Sequence, residues 1–468
     1  MKKLELTKKL ALIKKTDFIN KLKSVKQICF TTLMISLAFV AQAVAQDAPV
    51  IDAPAIVDSG NTTWVLVCSA LVMLMTPGLA FFYAGMVNRK NVVSTLLQNY
   101  VSLAVVGLLW VMVGYSLAFS EGNGFIGGLD FVMLEGLSNK TYGDTGVPML
   151  AFVAFQMMFA AITPALITGS VAERVNFSAW ILMMALWSLF VYAPVAHWVW
   201  GAGGWIAAEG GLDFAGGLVV HITAGVAGLI CAKTFGRRIN ADDVNHPNDI
   251  SMIMLGGALL WFGWFGFNAG SAISSGHLAS HAFMTTYVGA SASFVAWMMF
   301  DWLKHKRPSA VGATIGLVVG LVTITPAAGY VSIQSAIIMC FISGLYCNMF
   351  THMIKTRTKL DDALDVFACH GMGGILGAIM TGLFAETAVN PAVTVQGFFI
   401  SGETGLLFAN LKAIIVVCAY TAVVTYVLIK LVNLITPIRI SQEHEERGLD
   451  DAMHGESVTH NILGGKNG

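Results

Sequence analysis

Charge is scarce in this sequence. Of its 468 residues only 12% are Asp, Glu, Lys or Arg, against roughly 25% in ordinary soluble domains. The 27 basic and 27 acidic side chains cancel formally, so bulk charge gives nucleic acid no reason to bind. Paired cysteines are absent too. The seven cysteines (29, 68, 231, 340, 347, 369 and 418) contain no CxxC spacing, and no disulfide framework or zinc site follows from them. Six of the seven lie in or beside apolar runs and read as small buried hydrophobes.

What fills the chain instead is apolar and small. It is 56% hydrophobic with 48 glycines, at a mean hydropathy of +0.72. That composition defines an all-α polytopic membrane protein whose helices pack closely. Nine lysines between positions 2 and 26 precede the apolar stretch ICFTTLMISLAFV, 28–40. Thirteen residues fall short of the ~18 or more of a spanning helix. AQA (41–43) and AVA (43–45) follow as small-x-small sites. Residues 1–45 are therefore expected to be a cleaved secretory signal, with the mature chain starting near Gln46, outside the inner membrane.

Eleven apolar spans follow, with cores near 64–86, 93–119, 148–170, 177–199, 212–234, 251–272, 279–302, 309–325, 332–350, 364–385 and 407–435. The eighth is short, as a segment tucked among neighbours would be. If the first span enters from outside, the loops on the inner side hold twelve Lys and Arg residues and the outer loops between spans hold Lys140 alone. This is a strong positive-inside bias. It places the polar tail 436–468 in the cytoplasm, either solvated or docked on the inner loops or on a regulator.

The spans repeat. LDFAGGLVVHITAGVAG in span five and DALDVFACHGMGGILG entering span ten both fit D-x7-H-x3-G-x2-G, with Asp213 and His221 in the first and Asp362 and His370 in the second. ITPA occurs at 162–165 and 324–327, and GLAFFYAG (78–85) parallels GWFGFNAG (263–270). Spans one, three and five thus match six, eight and ten. Five helices per unit is an odd number, so the second copy inserts upside down. The expectation is two inverted repeats, about 61–234 and 251–385, plus a final long helix at 407–435, with the functional site at the repeat interface. Asp213 then lies at the outer end of span five and Asp362 at the inner end of span ten. Eight residues of helix rise ~12 Å, which brings each histidine to the middle of a ~30 Å hydrocarbon core. Two imidazoles there form a candidate site by default. Neutral rings sharing one hydrogen bond can hold a small polar molecule or relay a proton.

Aromatic residues accompany them. Phe155 and Phe159 are four apart; Trp261, Trp264, Phe267 and Ser271 recur at helical spacing; Trp198, Trp200 and Trp205 gather at the outer end of span four. Singly these are packing or interface anchors. Beside the histidines they suggest a cage for a cation above a dry constriction.

GWFGFNAGSA, LDFAGGLVVHI, DVFACHG, AFFYAGMV and the tail EERGLDDAMHGE resemble the ammonium transporter (Amt/Mep/Rh) family, and its bacterial Amt branch in particular, from Asn61 to about Ser457. The resemblance implies eleven helices and a homotrimer in the inner membrane with a pore in each subunit. It implies that Trp200, Phe155 and Ser271 recruit ammonium outside and that Phe159 and Phe267 gate the pore beneath. His221, His370 and Trp264 would line the pore, while Asp213, and Asp362 at its repeat position, would be structural. It implies no enzymatic chemistry, no metal and no cofactor, and a PII-type regulatory protein as a cytoplasmic partner. Met157 and Met158 between the two phenylalanines are bulkier than the family pattern, and Cys369 reads as packing. Two other classes compete: a haem protein with two histidine axial ligands, and an ammonium sensor of the same fold with little flux.

Overall fold

The computed structural model describes residues 56–241 and 247–458. The expected signal segment and most of the polar loop around 240–248 lie outside them. Eleven apolar helices make up most of the described residues: α1 Ser59–Met86, α2 Arg89–Phe119, α3 Met149–Val171, α4 starting as Phe177–Trp187, α5 Gly217–Phe235, α6 Ile250–Gly270, α7 His277–His305, α8 Ala310–Ile324, α9 Ile333–Arg357, α10 Phe367–Phe384 and α11 Gly405–Ile435. α4 passes through a π turn at Ser188–Tyr192 and ends as Ala193–Trp200. Ten have the length and apolarity to cross a bilayer. α8, at 15 residues, rises only ~22 Å and is buried along nearly all of its length, so its neighbours and not lipid surround it.

Local chemistry sets where several helices begin. Side chains of Asp58, Asn176, Asp249, Ser309 and Ser332 each accept a backbone N–H from the first turn of α1, α4, α6, α8 and α9, satisfying donors the helix cannot. Two short ribbons pair in the loop between α2 and α3: Gly122–Asn123 with Ile126–Gly127, and Thr141–Tyr142 with Val147–Pro148.

The repeat is visible in contacts. α1 and α6 run antiparallel at glycine-permitted distance. A Cβ on Gly85 would lie 2.6 Å from Ile253, and one on Gly270 would lie 2.7 Å from Cys68. Aligning GLAFFYAG with GWFGFNAG pairs Gly85 with Gly270 and Cys68 with Ile253, so these are one contact seen twice. Gly78 against Leu260 and Gly263 against Met75 are a second such pair. Exchange of antiparallel segments is the result of a twofold axis across the helices, as an inverted repeat requires. α11 then runs along α4, α5 and α10.

The tail is docked. Ile438, Ile440 and Leu449 are buried, and a short helix α12, Gln442–Arg447, leads to a turn at Asp450–His454. The Asp450 carboxylate accepts the N–H groups of Val93 and Ser94 at 3.0 and 2.8 Å, at the first turn of α2. Lys90 donates to the carbonyls of Glu445 and Glu446, and the Leu449 N–H donates to Asn91. Of the two readings of the tail, solvated or docked, the second holds because backbone donors at a helix start need acceptors.

Beside it Arg238 bridges Glu173 at 2.7 Å and Asp361 at 2.8 Å, with all three side chains mostly shielded from solvent. Burial pushes the Asp361 carboxyl up, but the hydrogen bonds and charge of Arg238 outweigh it and hold the group below its ordinary value. Its contribution is therefore present at neutral pH and lost as pH falls through the depressed value. Arg238→Gln removes the cation that two shielded carboxylates share. The expected cost is about 3–5 kcal/mol, read as a lower unfolding temperature whose deficit shrinks toward acid pH.

Candidate functional site

α5 and α10 position the histidines. Neither is a plain helix from the aspartate onward. Asp213 lies in the loop before α5, and its carboxylate accepts four backbone N–H groups, from Gly216, Gly217, Leu218 and Val219, at 2.7–3.2 Å. The turn needs Gly216 at φ +114, a region closed to side chains with a Cβ. α5 then opens as a π turn, Gly217–Ile222, that carries His221. α10 opens as a π turn, Phe367–Gly371, that carries His370. A wide turn rotates its side chains relative to an α-helix and is frequent at functional sites. The eight residues from Asp213 to His221 are thus part loop and part π turn, not the continuous α-helix expected from the spacing.

The two histidines meet. Their Nδ1 atoms are 3.3 Å apart, and the rings are stacked at 5.4 Å and 25°. Both are essentially buried, and Nε2 of His221 has no hydrogen-bond partner. In a neutral pair one Nδ1 donates and the other accepts. The two Nε2 atoms are then left unlike, one an acceptor and one a donor. Glycines allow the approach: a Cβ on Gly225 would fall 2.1 Å from the Gly371 nitrogen, and one on Gly374 would fall 3.1 Å from the Gly217 carbonyl.

From the pair a file of rings leads toward Asp213's end of the molecule. Trp264 stacks on His221 at 5.4 Å, and Phe267 lies 6.0 Å from the same ring. Phe267 and Phe159 stack face to face at 4.1 Å and 25°. Phe155 meets Phe159 at 4.9 Å, and Trp200 stands perpendicular to Phe159 at 6.1 Å. Phe155 also packs on Gly270, directly beside Ser271. The Trp200 indole N–H is engaged by the Asp213 carbonyl at 2.9 Å, which orients the ring. Ser271 donates to the Phe267 carbonyl, leaving its oxygen lone pairs free to accept.

Between Phe267 and the histidines is a cavity of ≈ 10 Å3, lined also by Leu79, Ile162, Val220 and Val318. That is room for about one water-sized molecule. An iron held between the two Nδ1 atoms would separate them by about 4 Å, twice a ~2 Å metal–imidazole bond, and these two atoms are 3.3 Å apart.

All the expected site residues but one gather along this file. Asp362 is the exception. It sits at the opposite end, where its carboxylate accepts from Ser170 and from the Phe367 N–H, holding the start of α10 as Asp213 holds that of α5. The sequence reading missed a supporting chain. The Trp264 indole donates to Thr325 at 2.9 Å, Thr325 contacts Asn268, and Asn268 donates to Thr286. The repeated ITPA, which contains Thr325, was the available signal.

A multi-helix membrane protein with a file of rings and a small apolar cavity between inverted halves has the build of a carrier or channel for something small. Residues 63–459 match the model of the Ammonium Transporter Family. The chain is 47% identical over 401 residues to the ammonium transporter of Bacillus subtilis (strain 168), covering 85% of this chain and 98% of that one. It superposes on the crystal structure of Saccharomyces cerevisiae Mep2 with TM-score 0.77 and 34% identity, over 83% of this chain and 89% of that one. A solved structure titled "Sensor Amt Protein" aligns with TM-score 0.77 at 27% identity, over 84% and 98% of the two chains. The chain belongs to the ammonium transporter family.

Proposed function

We propose that the protein takes up ammonium, binding it outside and passing ammonia through the histidine-lined passage. The observation that carries this reading is the order of groups: the Trp200 and Phe155 rings and a serine acceptor first, a stacked phenyl pair next, then an apolar cavity ending in two buried imidazoles. Trp200, Phe155 and Ser271 are the recruitment site. Asp213 organises it and does not touch the cation, because both carboxylate oxygens are already committed to backbone N–H groups. Phe159 and Phe267 are the gate. A cation entering the dry segment would lose its hydration without replacement. Ammonium escapes that cost by leaving its proton outside; potassium has no neutral form. Beyond the gate, the unlike Nε2 atoms of His221 and His370 offer ammonia an acceptor and a donor, and Trp264 forms the wall.

The rest of the reading is proposed with it. The ends carrying the basic loops face the cytoplasm of a cell with an inner membrane, residues 1–45 are removed, 61–435 form the membrane domain, and 436–468 are the cytoplasmic tail. Three chains assemble with one passage each, and a PII-type protein docks on the cytoplasmic face.

The test is transport by protein in proteoliposomes on a solid-supported membrane with an internal pH dye. Ammonium is expected to give a current or pH signal and potassium neither. Equal responses to both ions would overturn the gate. A sensor of this fold is the second reading, favoured by the resemblance to the structure titled as a sensor; ammonium binding with negligible flux would select it. Trp200→Ala removes one cation–π face, worth ~0.5–2 kcal/mol. The half-saturating ammonium concentration is expected to rise by roughly 2- to 30-fold, while the rate at saturation changes little.

A further inference from the structure

The loop that leads into α5 is tied down from a helix outside both repeats. Between Gly210 at φ +81 and Gly216 at φ +114, where glycine lets the backbone turn, residues 211–215 form no helix. Their backbone groups are met one by one. The Gly211 N–H donates to the Ile206 carbonyl at 2.9 Å and the Phe214 N–H to the Pro326 carbonyl at 3.1 Å. The Asp213 carbonyl accepts the Trp200 indole. The Leu212 N–H donates to Asn410 Oδ1 at 2.9 Å. Asn410 is a fully buried residue of α11. Its Nδ2 donates to the Ala378 carbonyl of α10 at 2.9 Å and lies 3.5 Å from the Leu212 carbonyl.

We propose that Asn410 is a positioning residue for ammonium recruitment: it fixes Leu212, and through it the Asp213 carbonyl that orients the Trp200 ring. The inference rests on the recruitment reading of Trp200 and extends it to a helix that never touches the cation. α11 has the length and apolarity of a spanning helix, and a buried amide on such a helix is worth its place only for the bonds it makes. Bonds to α10 alone would make it helix-to-helix glue. Its acceptor is instead spent on an irregular segment, one residue before Asp213. A cation–π contact needs the cation over the ring face within about 6 Å of its centre, so the tilt of the indole matters. The Asp213 carbonyl can set that tilt only if the loop bearing it is itself held. Through Ala378 the tether is anchored on α10, the helix that carries His370. The second copy of the motif repeats the device with another side chain: Asp361, which precedes Asp362 as Leu212 precedes Asp213, has its carbonyl held by Arg174 at 2.6 Å.

The experiment measures transport against ammonium concentration by the full chain in proteoliposomes, beside its unfolding midpoint. Asn410→Leu removes both bonds and keeps a branched side chain. It is expected to raise the half-saturating concentration at least about twofold, not beyond the rise that Trp200→Ala gives, and to leave the saturating rate nearly unchanged. Thr425→Val is the structural control. Thr425 is an equally buried residue of α11 that accepts the Trp187 indole at 3.0 Å, about 22 Å further along the helix. Its loss should lower the unfolding midpoint and leave half-saturation alone. N410L/W200A should match Trp200→Ala, because no ring is left to orient. The proposal fails if Trp200→Ala raises half-saturation and Asn410→Leu does not. It fails too if Thr425→Val raises it equally, or if the double variant adds the two rises. If Trp200→Ala itself changes nothing, the recruitment reading fails and takes this proposal with it. Should Asn410→Leu yield no folded protein, Asn410→Ala, which leaves room for a water beside the Leu212 N–H, is read by the same criteria.

Discussion

His221→Ala is expected to lower the ratio of ammonium to potassium conducted by at least about tenfold, in protein that folds and assembles normally. The ring makes one hydrogen bond to His370 and leaves Nε2 unpartnered. Alanine takes away one of the two imidazoles in a cavity whose other walls are Trp264, Phe267 and apolar side chains. A small amine in a dry segment then forfeits a hydrogen bond whose absence costs about 1–3 kcal/mol, roughly a 5- to 150-fold loss in rate. The vacated volume admits water and weakens the barrier to hydrated cations, which moves the same ratio the same way. His370→Ala should do likewise, because the bond is mutual. The double variant should cost little more than either single one, the non-additivity of groups acting as a unit. Flux at saturating ammonium, beside potassium leakage, reads all three. An unchanged ratio in well-assembled His221→Ala would remove the pair from the pathway. Trp200→Ala separates the two ends of the passage, since it alters half-saturation and not this ratio.

Gly225→Val is expected to be the most damaging single change outside the rings. A Cβ there would lie 2.1 Å from the Gly371 nitrogen and 2.2 Å from its Cα, both backbone atoms that no rotamer change can move. Ordinary contact needs ~3.5–4.0 Å, so α5 and α10 must part by more than an ångström. Overpacking typically costs about 1–3 kcal/mol, and a backbone collision belongs at or above the top of that range. The same displacement pulls apart two histidines that now meet at 3.3 Å. The expected result is loss of a monodisperse folded species, or a sharply lowered unfolding temperature with no transport. Gly276→Ala is the matched control: no atom lies within 4 Å of its added methyl group, and stability should stay within about 0.5 kcal/mol of the parent. Equal stability of the two variants would show that close approach of these helices is not required.

Much of this site is legible one residue at a time. Asp213, His221, Asp362 and His370 are conspicuous because polar groups are rare in apolar runs, and their shared spacing discloses the repeat before any helix is placed. The aromatic residues are legible as a set but not as a file. Phe155, Phe159, Phe267 and Trp264 recur at helical spacing, yet which rings stack depends on how α3 and α6 face each other. The π turns that aim both histidines are invisible to periodicity, as is the loop that interrupts the expected eight-residue helical run. The Thr325–Asn268–Thr286 chain behind Trp264 joins segments up to 61 residues apart; threonine and asparagine give no sign of such a role in one dimension. The tail's docking was equally hidden, because its partners lie some 350 residues upstream.

The sequence by itself determined the class of protein, the eleven spans and the two copies of the histidine motif. Each of these rests on local properties. Water-to-membrane transfer is close to additive along a run, charge bias is counted loop by loop, and a repeated motif needs only comparison of the chain with itself. The tertiary structure alone decided that the two imidazoles share a hydrogen bond, that a phenyl pair stacks beside them, and that the cavity between is no larger than about one water-sized molecule. Those are distances between helices far apart in the chain, set to fractions of an ångström by where glycines let backbones approach, and no property of a single segment contains them.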